Sequence, residues 1–277
     1  MKLESGQRAV VTGAASGIGF ALAEALCLRG LTVILADVEA AALETARASL
    51  AARGFTVHAE TCDVADAAAV DGLAQAVLAR FGQVDLLVNN AGVGGRLGPL
   101  WDSQPGDWAW TFGVNVFGIA NGVRSFLPSM LRQGAGHVVN VASLAGLTAP
   151  PFLGPYVASK HAVVGLSESL AAELALVGSR IRVSVVCPGH VQSRIAESER
   201  NRPPALAAAS RTPADVLARI HAGFVQALGD AMAPGDLAGR VLAGIEKDDF
   251  LILTHPELNG GVRSRLPAVD RATRDAA

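Results

Sequence analysis

The sequence predicts an α/β protein whose strands form a doubly wound parallel sheet with helices on both faces. Three observations carry this expectation. Short β-branched runs alternate with Ala-rich segments long enough for crossover helices. The runs are nearly continuously apolar rather than alternating, as strands covered on both sides are. No linker or shift in composition interrupts the pattern, so residues 1–277 read as one domain.

In chain order the expected strands are "RAVVT" at 8–12, "TVILA" at 32–36, "FTVHA" at 55–59, "DLLVN" at 85–89, "HVVNVA" at 137–142, "IRVSVV" at 181–186 and "FLIL" at 250–253. The one irregular, Pro-containing insert falls at about 190–214. A stretch of that length inside a compact domain is a lid or a disordered piece. A C-terminal tail, about 255–277, has no assigned role.

Composition excludes several classes. Formal net charge is −2 and no basic stripe exists, which argues against nucleic acid. No run has the length of a membrane span and the N-terminus lacks a signal-peptide core, so the expectation is a soluble, cytoplasmic protein. The three cysteines are widely spaced with no C-x-x-C pair, and read as buried free thiols. The six histidines form no ligand-spaced pair, so no metal site is expected.

The first strand runs into "TGAASGIG" at 12–19 and then a helix. Gly13, Gly17 and Gly19 let backbone approach a pyrophosphate, and the helix N-terminus offers N–H groups and a positive dipole end. Asp37 ends the second strand, where a carboxylate accepts from ribose hydroxyls and repels a 2′-phosphate. Val38, Ala14 and Ala15 supply no cation for such a phosphate. NAD is therefore expected over NADP. The competing reading of Asp37 is a turn or helix-cap aspartate.

These motifs, together with "CDV" at 62–64, "NNAG" at 89–92, "VNVFG" around Asn115, "NVASLAG" around Ser143, "YVASK" at 156–160 and "CPGHVQS" at 187–193, resemble the short-chain dehydrogenase/reductase family over nearly the whole chain. The resemblance implies a single-domain Rossmann-type fold, a three-layer αβα sandwich with a seven-stranded parallel sheet. It also implies a nicotinamide cofactor and an alcohol or ketone substrate. Carried over position by position, it implies cofactor contacts at Gly13, Ser16, Gly17, Ile18, Gly19, Asp37, Asp63, Val64, Asn90, Ala91, Gly92, Tyr156, Lys160, Pro188, Gly189, Val191 and Ser193. It implies catalytic roles for Asn115, Ser143, Tyr156 and Lys160, with Lys160 also binding the nicotinamide ribose and Asn115 on a water-linked proton path. Ser193 stands where the family commonly has Thr, and it keeps the hydroxyl. Homo-oligomers are common in the family; a tetramer is expected, with a dimer as the rival.

Tyr156 is the only tyrosine, and one of three lysines follows it by four residues. On a helix the two share a face. A free phenol, with pKa about 10, is a poor base at neutral pH, and a nearby ammonium favours the phenolate. Bringing it to near 7 takes about 3 pK units, roughly 4 kcal/mol, more than one partly solvated cation supplies. The positively charged oxidised nicotinamide is expected to add the rest. Ser143, at the carboxyl edge of the fifth strand, is placed to hold the substrate oxygen. Singly, each residue has a structural alternative: Tyr156 as a core aromatic, Ser143 as a turn residue, Asn115 as a helix-kink partner.

Other residues read as structural. His161 points away from the Lys160 face, His255 in "THPE" is structural, and Trp101, Trp108 and Trp110 pack at a helix start, with Trp101 the one able to reach the cleft. His190 could line the substrate side. Substrate walls are expected from 93–101, 144–153 and the insert; the first two are mainly apolar, with Arg96 the one charge in them and read as solvated. That suggests a hydrophobic secondary alcohol or ketone, with aryl and alicyclic compounds as candidates. The rival readings are a non-catalytic cofactor-sensing protein, an epimerase or dehalogenase on the same scaffold, and an interaction module.

Overall fold

The computed structural model describes residues 1–207, 209–229 and 231–264. Part of the C-terminal tail, 265–277, lies outside the described residues. All seven expected strands form: β1 (Arg8–Thr12), β2 (Thr32–Asp37), β3 (Val57–Thr61), β4 (Leu86–Asn89), β5 (His137–Val141), β6 (Arg182–Cys187) and β7 (Leu251–Leu253). They pair in parallel in the order β3-β2-β1-β4-β5-β6-β7. The order reverses between β1 and β4, which opens a crevice at the carboxyl ends of those two strands. β3 begins two residues later than its apolar run suggests. Phe55 N–H still bonds Leu50 O, closing the preceding helix.

The crossovers are α1 (Gly17–Leu28), α2 (Ala40–Ala52), α3 (Ala67–Phe81), α4 (Pro105–Phe112), α5 (Gly118–Gln133), α6 (Gly154–Leu176), α7 (Ala214–Gly229) and α8 (Pro234–Glu246), with a short α9 (Asn259–Arg263) after the last strand. Caps read locally. Asp66 accepts from Ala68 N at 2.8 Å to start α3, and Gly82, at φ 76°, ends it.

Two-fold alternation along each strand sorts the core into two layers. Ala9, Val11, Val33, Leu35, Leu86 and Val88 face α1, α2 and α8 through Leu22, Leu26, Leu43, Leu50, Leu237 and Val241. Val10, Ile34, Leu87 and Val138 face α3, α5 and α6 through Leu73, Val77, Phe126, Met130, Leu170 and Leu174. With both faces covered, the strands have no polar side to show, which is why their runs are continuously apolar. Cys27, Cys62 and Cys187 are buried free thiols. Among the described residues no helix is long and apolar enough to cross a membrane.

The insert at 190–214 is folded rather than irregular throughout. Two 3₁₀ turns, Ile195–Asn201 and Pro204–Leu206, lead into α7. Arg96 is not solvated. Its guanidinium bonds Asp102 O at 2.6 Å and stands 3.4 Å from the Asp107 carboxylate.

Candidate active site

A cleft of about 1270 Å³ runs along the carboxyl edge of the sheet, from Asp37 past the glycine loop to Tyr156 and out to α7 and the 258–264 segment. Every residue expected to contact the cofactor lines it, as do Ser143, Tyr156 and Lys160. Asn115 is the exception, lying fully buried behind the wall.

The glycine loop is built by tight approach. Gly13 has φ 65°, and a Cβ there would sit 2.8 Å from Ala91 Cα. A Cβ on Gly19 would sit 2.1 Å from Gly13 O, so α1 can start this close to its own loop only as glycine. Thr12 Oγ1 accepts from Asn90 N at 3.0 Å and Ala91 N at 3.1 Å, while Asn90 Nδ2 donates to Thr12 O at 2.9 Å. The "NNAG" turn thus braces the loop. No side chain caps the start of α1 and no acidic residue stands in its first turn. Its N–H groups and dipole face the cleft unopposed, which suits an anion. Asp37 is oriented by Ala15 N and Glu39 N, each 3.0 Å from one carboxylate oxygen. The donor set fits a nicotinamide dinucleotide: amides at a helix start for the pyrophosphate and a carboxylate for a ribose diol.

Ser143 follows β5. Its Oγ accepts from Ala145 N at 3.1 Å, in the 3₁₀ turn Leu144–Gly146, and donates to Pro188 O at 3.5 Å. Lys160 is 4 % exposed; its Nζ donates to Val141 O at 3.0 Å and lies 5.7 Å from the centre of the Tyr156 ring. Burial pushes the Tyr156 phenol up from its ordinary value, against the Ser143 hydroxyl, which pulls it down. Burial likewise pushes the Lys160 ammonium down to about 8. From protein groups alone, then, desolvation sets the direction at both groups, and the expected acidifying effect of the ammonium does not reverse it at the phenol.

Asn115 sits in a π-helical turn, Gly113–Phe117, between α4 and α5. Its Oδ1 accepts from Val93 N at 2.8 Å and its Nδ2 donates to Val93 O and Ser159 Oγ, both at 3.0 Å. The extra residue in that turn sets the side chain behind the cleft wall, where it ties the end of the β4 loop to α6.

Several wall residues carried no motif. Ser198 Oγ accepts from Gly94 N at 2.9 Å, docking the insert on the β4 loop. Glu39 pairs with Arg200 and accepts from Asn201 at 2.9 Å, closing the insert over the Asp37 end. Ile220 and Phe224 of α7, and Leu258, wall the outer cleft. His190 lines it, whereas Trp101 is 86 % exposed and not part of it. Among the described residues no group of three metal-ligating side chains comes together.

The sequence model of the short chain dehydrogenase family matches residues 7–204. A short-chain dehydrogenase/reductase from Burkholderia phymatum, solved in complex with NAD, superposes with a TM-score of 0.94 at 43 % identity, covering 98 % of this chain and 97 % of that one. A C alpha-dehydrogenase of Sphingobium sp. is 34 % identical over 271 residues, 97 % of this chain and 87 % of the relative. An alcohol dehydrogenase from the archaeon Thermococcus sibiricus, complexed with 5-hydroxy-NADP, aligns with a TM-score of 0.72 at 26 % identity, covering 89 % of this chain and 95 % of that one. The cleft and these likenesses agree: the chain belongs to the short-chain dehydrogenase family, oxidoreductases that act on alcohol and ketone groups with NAD(H) or NADP(H).

Proposed function

We propose that the chain is an NAD-dependent alcohol dehydrogenase/ketoreductase that interconverts a hydrophobic secondary alcohol and its ketone. The observation that carries this is the convergence of Ser143, Tyr156 and Lys160 on the cleft that also holds the glycine loop and Asp37. A bound nicotinamide would supply the hydride acceptor or donor. Ser143 holds the substrate oxygen and stabilises charge developing on it. Tyr156 takes the hydroxyl proton in oxidation and returns it in reduction. Lys160 binds the nicotinamide ribose and holds positive charge near the phenol. Asn115 keeps the β4 loop and α6 in register, and so keeps Lys160 in place.

Asp37 favours NAD. Its carboxylate is fixed toward the site, and Arg200, a cation near that end of the cleft, is already paired with Glu39. The substrate end is walled by Leu97, Phe152, Leu153, Leu206, Ile220 and Phe224. Arg96 is bound to Asp102 and Asp107 and brings no charge to the substrate. The insert acts as a lid over cofactor and substrate. The test is a panel of secondary alcohols at alkaline pH with each dinucleotide, following reduced-cofactor absorbance. NAD should give the higher kcat/KM, and Asp37→Ser should shift the NADP-to-NAD ratio by about tenfold or more. A wild-type preference for NADP would overturn the cofactor assignment.

The protein is further proposed to work as a homo-oligomer, a tetramer before a dimer, through α5 and α6. Phe117 (58 % exposed) stands at the start of α5, and Leu176 (87 %) and Val177 (73 %) end α6; all three are apolar and unburied within one chain. Light scattering of the purified protein should return a multiple of the 28.3 kDa chain. A monomer at micromolar concentration would remove this reading.

A further inference from the structure

We propose that His255 is a positioning residue for the nicotinamide end of the cofactor site. It rests on reading 188–193 as the cofactor loop. His255 follows β7 and is 5 % exposed. Its Nδ1 accepts from Gly189 N at 3.0 Å, and its Nε2 stands 3.0 Å from His190 O. A backbone N–H can only donate and a carbonyl only accept, so this pair of contacts fixes the Nε2–H tautomer. The ring also lies against Gly189: a Cβ there would sit 2.8 Å from His255 Cγ and 3.0 Å from Cδ2. One imidazole therefore holds two consecutive residues of the loop by donor, acceptor and shape together.

The rest of that loop is fixed from other directions. Pro188 O accepts from Leu144 N at 2.7 Å, next to Ser143. Met232 brackets the far side, donating to His190 O and accepting from Gln192 N, both at 3.0 Å. His255 is thus the side-chain brace between the end of β7 and the loop that also touches the Ser143 turn. His255 is itself held by Thr254 Oγ1, 2.8 Å from Nδ1, and by Arg240, which bonds Thr254 O. A group that fixes one end of a dinucleotide site should matter only for ligands that reach that end.

The experiment compares NAD with ADP-ribose, which lacks the nicotinamide, by calorimetric titration of wild type, His255→Ala, His255→Asn and His255→Gln. Alanine should weaken NAD about tenfold and leave ADP-ribose unchanged. Asparagine, whose Oδ1 falls where Nδ1 stood, should restore most of the loss. Glutamine reaches His190 O but gives up the Gly189 acceptor, so it should bind NAD several-fold more weakly than asparagine. Equal weakening of both ligands, or no weakening, would overturn the assignment. If alanine does not fold, equal NAD affinity of the asparagine and glutamine variants overturns it instead. Wild type binding neither ligand would count against the NAD assignment of the site, a result separate from any difference among the variants.

Discussion

Tyr156→Phe is expected to lower kcat by roughly 10²–10⁴-fold in both directions, the range general acid–base groups contribute. The dissociation constant for NAD should rise far less than kcat falls, since only one of its expected contacts is lost while Lys160 and the glycine loop are untouched. That split separates a lost proton-transfer group from a damaged pocket. The ring keeps its packing, and Lys160 keeps its bond to Val141 O. A variant that turned over within threefold of wild type would remove Tyr156 from the chemistry.

The same residue sets the direction of the pH response. Burial holds the Tyr156 phenol above its ordinary value, so from protein groups alone its resting form is the proton donor. Ketone reduction needs that form, and its rate should be flat through neutral pH and fall only on the alkaline side. Alcohol oxidation needs the phenolate and should rise with pH. The two optima should separate, oxidation lying higher, and the Tyr156→Phe variant should lose both limbs. Lys160, pushed down to about 8, loses its charge over part of the same range, so the oxidation rate should bend over as the pH climbs past that value. Coincident optima would mean that another group moves the proton.

Legibility followed the range of the interactions. The strands could be read because two-sided burial writes itself into each run, as at Val10 and Val11, which serve opposite core layers. The cofactor loop could be read because its constraints are short: Gly13 and Gly19 sit six apart, and a Cβ on the second would fall 2.1 Å from the carbonyl oxygen of the first. The Tyr156–Lys160 pair could be read as neighbours on one helix face. The balance of their titrations could not, because desolvation depends on β5, β6 and the 188–193 loop closing around them. Arg96 reads as solvated in isolation; its carboxylates at 102 and 107 lie nearby in sequence but follow no helical or strand period. His255 reads only as structural, since its partners at 189 and 190 are more than sixty positions away. The folded insert was hidden for the same reason: Ser198 answers to Gly94, and Arg200 to Glu39.

Asp107→Ala is expected to cost about 3–5 kcal/mol of stability, the range for removing one partner of a buried ion pair. Asp107 is 1 % exposed and accepts from Arg202 at 2.8 Å, with Arg96 at 3.4 Å. Its carboxylate also accepts from Gln104 N at 2.8 Å as half of the α4 capping box. Each arginine keeps another contact: Arg202 has Glu199 at 2.8 Å and the Trp110 ring at 4.6 Å, and Arg96 has Asp102. That places the loss near the lower end of the range, a fall in Tm of roughly 6–12 °C. Asp107→Asn keeps the cap acceptor and drops the charge, so it should fall between alanine and wild type. The damage should concentrate in the lid, because Arg202 ties it to α4 and Asp102 holds its far end through Thr212 Oγ1 at 2.8 Å and Arg211 N at 3.0 Å. Trypsin should therefore cut the variant faster after Arg194, Arg200 and Arg211, and NAD should slow the cutting. Acid should act on the same anchor. The Ser210 and Thr212 hydroxyls hold the Asp102 carboxyl well below its ordinary value of 3.8. Its stabilising effect is complete above that value and fades as pH falls through the lowered one, so lid cutting by an acid-active protease should accelerate only below about pH 4. A Tm within 2 °C of wild type, with unchanged cutting, would mean that the Asp107 pairs hold neither the fold nor the lid.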